Sequence, residues 1–488
     1  MTSAKKSNSH IKAKDFNSFL TTEASLRKPS PLKTLLKYKQ NPDNIYLASG
    51  LPRIDAFPIE ELSFKARDPI SGELKEFNIS KEPDSSCPIG LNQAQQYGNG
   101  LGITPIRDFF RHHTKQLHKP CYGDWDVIPT AGNTDSLYKM LSLFLSPGYP
   151  ILVARWCYPT ALETFSAFGL DLLSVDIDEE GLIPSSLKKV AQEWNQTNPD
   201  NCCRFMYTVP CGQNPSGATM SLTRRKQIYE VAQELNLIIF EDDPYYYLQL
   251  PPFNPSQPIT SEEKGNLNPQ EFIDAFGYKT LIPSLLSLDV DGRVIRMDSW
   301  AKTIAPGLRV GWITAQVSFI NKLQFINEVS IQMPSGFSQA ILAQLLLKGW
   351  GDDKLEHHIA ALRLKFAYRR DSTMAIIMPI RGKIVDFTPP VAGMFLWLKP
   401  RLPKAMLTLE EGTLPSQSAM EDIFNSLIEK HVVIVPGVFF DTDNYSGKSK
   451  EKKGAPYLRI CYTFADLDKV IEGTRRLVEA LSSIGCGN

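Results

Sequence analysis

Residues 205–247 read FMYTVPCGQNPSGATMSLTRRKQIYEVAQELNLIIFEDDPYYY, and their order decides the fold. Four residues with apolar character, Phe205–Thr208, lead into turn formers, Gln213-Asn-Pro-Ser-Gly217. A helical stretch, Leu222–Glu234, follows, and then a second apolar run at 237–240. Strand, helix and strand in that order form a crossover unit, which lays its two strands parallel. The alternation extends from Gln95 to about Ala340, with further strand candidates at 151–154, 172–175, 294–297 and 310–314. It predicts an α/β fold, a mostly parallel central sheet with helices on both faces. Beyond it, a long helix over 355–378 and strands at 395–398 and 432–435 predict a smaller α/β domain.

These patterns divide the chain into an N-terminal arm (1–30), a segment (31–90) contributing to the small domain, a large domain (91–345) and a C-terminal small domain (346–488). Within the second, Tyr46–Pro52 reads as a strand entering a turn, and 65–90, rich in charge and proline, as an exposed excursion. Polar insertions are expected at 251–285, 403–418 and 441–455.

With 488 residues the chain is too long for one simple core. Lysine plus arginine equals aspartate plus glutamate, 53 each, so a nucleic-acid partner, which needs a clustered basic excess, is not expected. The longest apolar runs fall far short of a membrane span, and the polar N-terminus lacks the apolar core of a secretory signal. The C-terminal SSIGCGN matches no retention or peroxisomal address. Eight cysteines without regular spacing suit a reducing compartment, so a cytoplasmic protein is expected.

Candidate chemistry begins at Glu241-Asp-Asp-Pro-Tyr-Tyr-Tyr247, which ends an apolar strand. In open α/β sheets that end faces the ligand crevice, so Asp243 and the tyrosines should point there. Metal binding has no support: there is no HExxH, and the adjacent pairs His112-His113 and His357-His358 should diverge on helices and be solvated. Gln96–Gly102 is glycine-rich but lacks the preceding strand and the dinucleotide spacing, and reads as a loop. Thr130-Ala-Gly-Asn-Thr-Asp-Ser136 precedes apolar residues at helical spacing, which sets Gly132-Asn133-Thr134 at a helix N-terminus able to hold an anion. Taken alone, an ordinary N-cap is the simpler reading of that turn. Gln213–Gly217 is likewise an ordinary turn, or a site placing Asn214 at a strand end beside Asp243.

The stretch Ser299–Trp312, SWAKTIAPGLRVGW, sets one lysine and one arginine among small and apolar residues. It contains S-x-x-K, but the companion S-D-N and K-T-G elements of acyl-serine enzymes are absent from the chain. The alternative is that Lys302 captures an electrophile itself, its amine made nucleophilic by an apolar, cationic surrounding. Such a site needs an anionic cofactor group against Arg309, and Ser299, Arg309 and the Gly132-Asn133-Thr134 turn form a phosphate cup.

Tyr158, Gln213-Asn-Pro-Ser-Gly217, Glu241-Asp-Asp-Pro-Tyr-Tyr246, Ser299-x-x-Lys302 and Arg309 together resemble a fold-type-I pyridoxal-phosphate aminotransferase. Leu26-Arg-Lys-Pro-Ser-Pro31, Gly50-Leu-Pro52 and Tyr457-Leu-Arg459 resemble its aromatic-amino-acid and 2-aminoadipate (kynurenine-type) branch. The resemblance covers nearly all of the chain from about residue 26. It implies pyridoxal 5'-phosphate as cofactor, Lys302 as the amine that carries it and moves the substrate proton, and Asp243 as the partner of its ring nitrogen. Asn214 and Tyr246 would bond the ring hydroxyl, and Tyr158 would stack on the ring. Asn133, Thr134, Ser299 and Arg309 would hold the phosphate, with Tyr97 reaching over from a second copy in a homodimer with shared active sites. Arg459 would clamp the substrate carboxylate, helped by Asn214, with Gly50 and Arg27 close by. The implied substrates are an aromatic amino acid or 2-aminoadipate and 2-oxoglutarate, and Trp300, Phe337 and Tyr457 suit a roomy apolar pocket. The family's hydroxyl residue before the lysine is here Ala301, and Cys211 replaces a commoner threonine. A lyase on the same cofactor is the alternative. A transcription regulator of this fold is not expected, because the residues before Leu26 are too few for a winged helix.

Overall fold

The computed structural model describes residues 11–45, 47–48, 50–263, 267–407, 417–446 and 455–487. Leu62–Arg67 (β1) and Leu74–Ile79 (β2) form an antiparallel hairpin, with Phe64 stacked on Phe77 at 5.3 Å. The expected excursion at 65–90 is therefore ordered: its charges line the open side of a two-stranded ribbon. The strand expected over Tyr46–Pro52 does not form at its described residues, and Tyr46 and Ser49 lie outside them.

The central sheet comprises Trp125–Thr130 (β3), Pro150–Ala154 (β4), Asp171–Val175 (β5), Phe205–Thr208 (β8), Ile238–Asp242 (β9), Val294–Ser299 (β10) and Gly311–Gln316 (β11), with Ile177–Asp178 (β6) and Gly181–Leu182 (β7) forming a small hairpin after β5. Its order is β3-β11-β10-β9-β8-β4-β5. β4 runs parallel to β5 and β8, while β11 runs antiparallel to β10 and β3, so the sheet is mixed and mostly parallel as expected. Strands β4, β8, β9, β10 and β11 are buried at every position, which is why they read as short apolar runs without alternation. β3 escaped the sequence reading because Pro129 interrupts it. Proline is tolerated there since β3 is an edge strand. A second, antiparallel sheet is built from Val385–Asp386 (β12), Phe395–Pro400 (β13), Val435–Pro436 (β14) and Leu458–Cys461 (β15), in the order β12-β13-β15-β14. The strand expected at 432–435 begins only at its last residue, since Val433 is 81% exposed.

The described residues fall into two compact units, one within Met1–Ser146, Phe240–Pro244 and Pro283–His358, the other within Pro147–Ile239, Tyr245–Ile282 and Ile359–Asn488. The first unit holds an aromatic cluster: Phe110 stacks on Trp312 at 4.5 Å, Trp300 lies 5.3 Å from Trp312, and His113 stacks on Phe109 at 5.6 Å. Trp300 is thus core, not the pocket wall expected of it, and His113 is buried rather than solvated, with burial pushing its pKa down to about 4. Within the second unit, Leu396, Leu398, Ile423, Leu427, Leu458 and Leu481 pack a separate core around the second sheet. Residues 251–282 of the expected insertion belong to that unit: helix Pro269–Phe276, opened by an Asn268–Glu271 capping box, buries Phe272 and Phe276 against Ala360 and Leu364.

Candidate active site

β9 delivers Glu241 and Asp242, and Asp243 follows at the turn made by Pro244. Behind them lies a charge quartet with no exposure. Arg296 Nη1 is 3.1 Å from both Glu241 Oε1 and Asp243 Oδ2, and its Nε and Nη2 donate to Asp298 at 2.9 and 2.8 Å. Glu241 also accepts the backbone N–H groups of Leu285 and Leu286 at 2.8 and 3.1 Å. One guanidinium against three carboxylates fixes Asp243 from behind. Buried charges persist only where paired and hydrogen-bonded in this way. Burial raises the Asp298 pKa from 3.8 to about 6 against the pull of Arg296. Over that interval the folded chain holds a proton that the unfolded chain has released. The linked stabilisation is full below 3.8 and is lost as pH rises through 6. The Tm of the wild type should therefore fall relative to Asp298→Asn between about pH 4 and pH 7. Scanning calorimetry across that range checks it, and parallel pH profiles would refute it.

Leaving β10, the chain winds over the aromatic cluster in a tight turn. The Trp300 carbonyl accepts from the N–H groups of Thr303, Ile304 and Ala305 at 3.3, 2.9 and 3.2 Å. This turn presents Lys302 outward, exposed, above a buried tryptophan. Ser299 Oγ accepts the Ala301 N–H at 3.0 Å. His358 Nε2 donates to the Thr303 carbonyl at 2.7 Å, and burial lowers its pKa. A carbonyl only accepts, so Nε2 carries the proton. The expectation that His358 is solvated is thereby corrected: it pins the lysine turn, and Trp350 lies 4.7 Å from its ring.

The next conserving of space is at Gly132, whose φ is +96°, and a Cβ there would come within 2.6 Å of Arg309 Nη2. Glycine thus lets the guanidinium settle against the start of helix Asn133–Phe144, where Nη2 donates to the Ala131 carbonyl at 2.8 Å. Arg309 itself takes a left-handed backbone, φ +50°, and bonds the Pro306 carbonyl at 3.2 Å. The N-cap of that helix, Gly132, has no side chain with which to cap it. Its leading N–H groups at Asn133 and Thr134, the exposed guanidinium and Ser299 form a cradle suited to a dianion. Asn133 Nδ2 donates to Asp242 at 2.6 Å and to the Met297 carbonyl at 3.1 Å, which ties the cradle to the strand ends. A phosphate, a protonated ring nitrogen and an aldehyde are what this cradle, Asp243 and Lys302 complement, so the first unit fits pyridoxal phosphate.

In the second unit, Tyr158 follows β4 and opens helix Pro159–Ala167. Asn214 is buried, and its Oδ1 accepts from Arg459 Nη1 at 2.7 Å. Arg459 lies on β15 opposite Trp397, its guanidinium 4.4 Å over Phe395 and 5.1 Å over Phe440. Burial lowers its pKa, yet a guanidinium remains a cation. Its Nε is buried with no hydrogen-bond partner among the described residues, the state expected of a donor kept for a ligand. Tyr246 is buried beside Tyr247. Cys211, which replaces the commoner threonine, accepts from Arg225 Nη2 at 2.9 Å.

The structure therefore gathers Asn133, Thr134, Asp243, Ser299, Lys302 and Arg309 in the first unit and joins Asn214 to Arg459 in the second, which also holds Tyr158 and Tyr246. It leaves Tyr97 64% exposed, Gly50 with nothing within 4 Å of a Cβ, and Arg27 paired with Glu23. Among the described residues no cluster of His, Cys, Asp and Glu could hold a metal ion. Sequence reasoning missed Arg296 and His358. For Arg296 the signal was there, since an arginine and an aspartate sit two apart in an otherwise apolar strand.

Residues 81–473 match the family aminotransferase class I and II. An aromatic amino acid aminotransferase of Schizosaccharomyces pombe is 34% identical over 487 residues, covering 96% of each chain. A mitochondrial kynurenine/alpha-aminoadipate aminotransferase of Bos taurus is 28% identical, covering 95% of this chain and 98% of its own. The crystal structure of the aminotransferase Aro8 from Candida albicans superposes with a TM-score of 0.87 at 32% identity, over 97% of this chain and 99% of that one.

Proposed function

Because this chain belongs to aminotransferase class I and II and is a pyridoxal-phosphate enzyme, we propose that it passes the amino group of an aromatic amino acid, or of 2-aminoadipate, to 2-oxoglutarate. The observation that carries the reading is Arg459: a half-buried guanidinium held by Asn214, flanked by Phe395 and Phe440, with a buried Nε still to bond. Such a group takes a carboxylate through two parallel bonds. The aromatic and aminoadipate substrates named for the relatives are consistent with it.

Bound pyridoxal phosphate supplies an aldehyde and an electron-accepting ring. Lys302 would offer its amine to the aldehyde and then, displaced by the donor, take the proton from the donor's Cα and deliver it to the cofactor's C4′ carbon. Asp243, fixed by Arg296, would keep the ring nitrogen protonated. Asn214 and Tyr246 would orient the ring hydroxyl and Tyr158 would lie on the ring face. Asn133, Thr134, Ser299 and Arg309 would hold the phosphate, joined by Tyr97 of a second copy in a homodimer. Gly50 and Arg27 would approach the substrate. Residues 91–345 would form the cofactor domain, and 31–90 with 346–488 the small domain. Eight free cysteines support a cytoplasmic setting. Among the described residues no helix is long and apolar enough to cross a membrane.

The test is glutamate formation from 2-oxoglutarate with phenylalanine, tyrosine, tryptophan, kynurenine or 2-aminoadipate as donor. An aromatic donor is expected to give the highest kcat/KM. No glutamate from any of the five would sink the reading and favour a lyase.

A further inference from the structure

One cavity of the second unit has no part in that chemistry. Its volume is about 580 Å³, the size of a small-molecule site. One wall is a cluster of three rings: Trp397 and Tyr457 stack 4.8 Å apart at 6°, and Trp156 meets Tyr457 edge-on at 5.1 Å. Lys399 and Arg381 line the same cavity. Asp386 stands directly across from Lys399 in the β12–β13 register, but it is already held by Arg401 at 2.8 and 3.0 Å. Among the described residues Lys399 and Arg381 therefore have no carboxylate. Lys399 Nζ rests 5.9 Å over Tyr457, and the Arg381 guanidinium 5.6 Å over Phe387. A stacked aromatic wall with two cations at its edge is complementary to a flat ring that bears a carboxylate.

We propose that this cavity is a second site, apart from the catalytic one, for an aromatic carboxylate, whose ring lies on the Trp397–Tyr457–Trp156 wall and whose carboxylate meets Lys399 and Arg381. An aromatic amino acid and its 2-oxo acid share this chemistry. Asp178 and Glu180 also line the cavity but are held by Arg224 at 2.8 and 3.5 Å, whereas Glu179 between them, on the β6–β7 turn, forms no ion pair within 4 Å among the described residues and favours the amino acid, whose ammonium it would face. The wall also touches the substrate clamp. Trp397 is the register partner of Arg459, and Tyr457 lies two residues before it. The Trp156 carbonyl accepts from Gln213, the neighbour of Asn214, at 3.1 Å. Occupancy shifts Arg459 and so acts on KM for the donor more than on kcat. That coupling rests on the role proposed for Arg459, whereas binding to the cavity does not.

The experiment uses the holoenzyme and labelled 3-phenylpropionate, which has the ring and carboxylate but no amine to react. Equilibrium dialysis is expected to find two molecules per chain in the wild type and one in the double variant Arg381→Glu, Lys399→Glu, whose altered residues are both exposed. Inhibition against the amino donor is expected to be mixed in the wild type and purely competitive in the variant. One molecule per chain in the wild type, or two in both proteins, would overturn the proposal. In Arg459→Leu the cavity molecule alone should remain, and its displacement by L-phenylalanine in preference to phenylpyruvate identifies the amino acid as occupant. The reverse preference identifies the 2-oxo acid. Two molecules retained in Arg459→Leu, with one lost in the double variant, would remove the clamp role and leave the second site standing.

Discussion

Replacing Lys302 with alanine is expected to lower the transamination rate by roughly 10⁴-fold or more, because the covalent hold on the cofactor and the proton carrier go together. The loss should not come from unfolding. Lys302 is exposed, and the turn that presents it is tied through the carbonyl of Trp300, whose ring is buried among His113 and Trp312. Wild-type protein treated with pyridoxal phosphate and borohydride should gain the mass of the reduced cofactor, and the variant should not. A variant that still takes up that mass at full stoichiometry would show that the amine lies elsewhere.

The second large effect is expected at Arg459. The guanidinium is half-buried and is desolvated in full only when a carboxylate docks on it; removing the charged partner of such a contact costs about 3–4 kcal/mol, and each 1.4 kcal/mol is tenfold. Arg459→Leu should therefore lower kcat/KM for amino acids by roughly 10²- to 10³-fold, mostly through KM. Phenylethylamine, which has the ring and amine but no carboxylate, should react at the same slow rate with both proteins. An equal loss for the amine would mean that the substitution disturbed Asn214 or the second sheet and not a carboxylate contact.

How much of this was legible in the sequence differs from element to element. Helix Leu222–Glu234 and strand Phe205–Thr208 stand where the pattern placed them, because turn formers and a Ser221 cap punctuate that region sharply. β3 was lost to Pro129, and β15 is only four residues long with Arg459 in its middle, too short for a period to show. The candidate site was legible as residue types: a lysine, an arginine, an aspartate and a glycine turn, each beside a strand or helix end. What stands behind them was not. His358 reaches Thr303 across 55 positions of sequence, and Arg296 satisfies three carboxylates from two strands and the turn between them, relations that no local spacing encodes. The missing hydroxyl at Ala301 also looks different in three dimensions. The Ala301 N–H donates to Ser299, and Thr303 Oγ1 lies buried two residues on, with no partner among the described residues.

The Arg296 quartet carries a consequence that reaches past its own hydrogen bonds. Three carboxylates around one guanidinium leave the interior negative, and in a poorly polarisable surrounding that imbalance is a standing electric field. A field acts on whatever lies in front of Asp243 whether or not it is touched. The proton affinity of a ring nitrogen seated there would thus be set partly by Glu241 and Asp298, neither of which needs to meet it. The electronic character of the site is in this sense a property of the sheet, built into β9 and β10 before any ligand arrives.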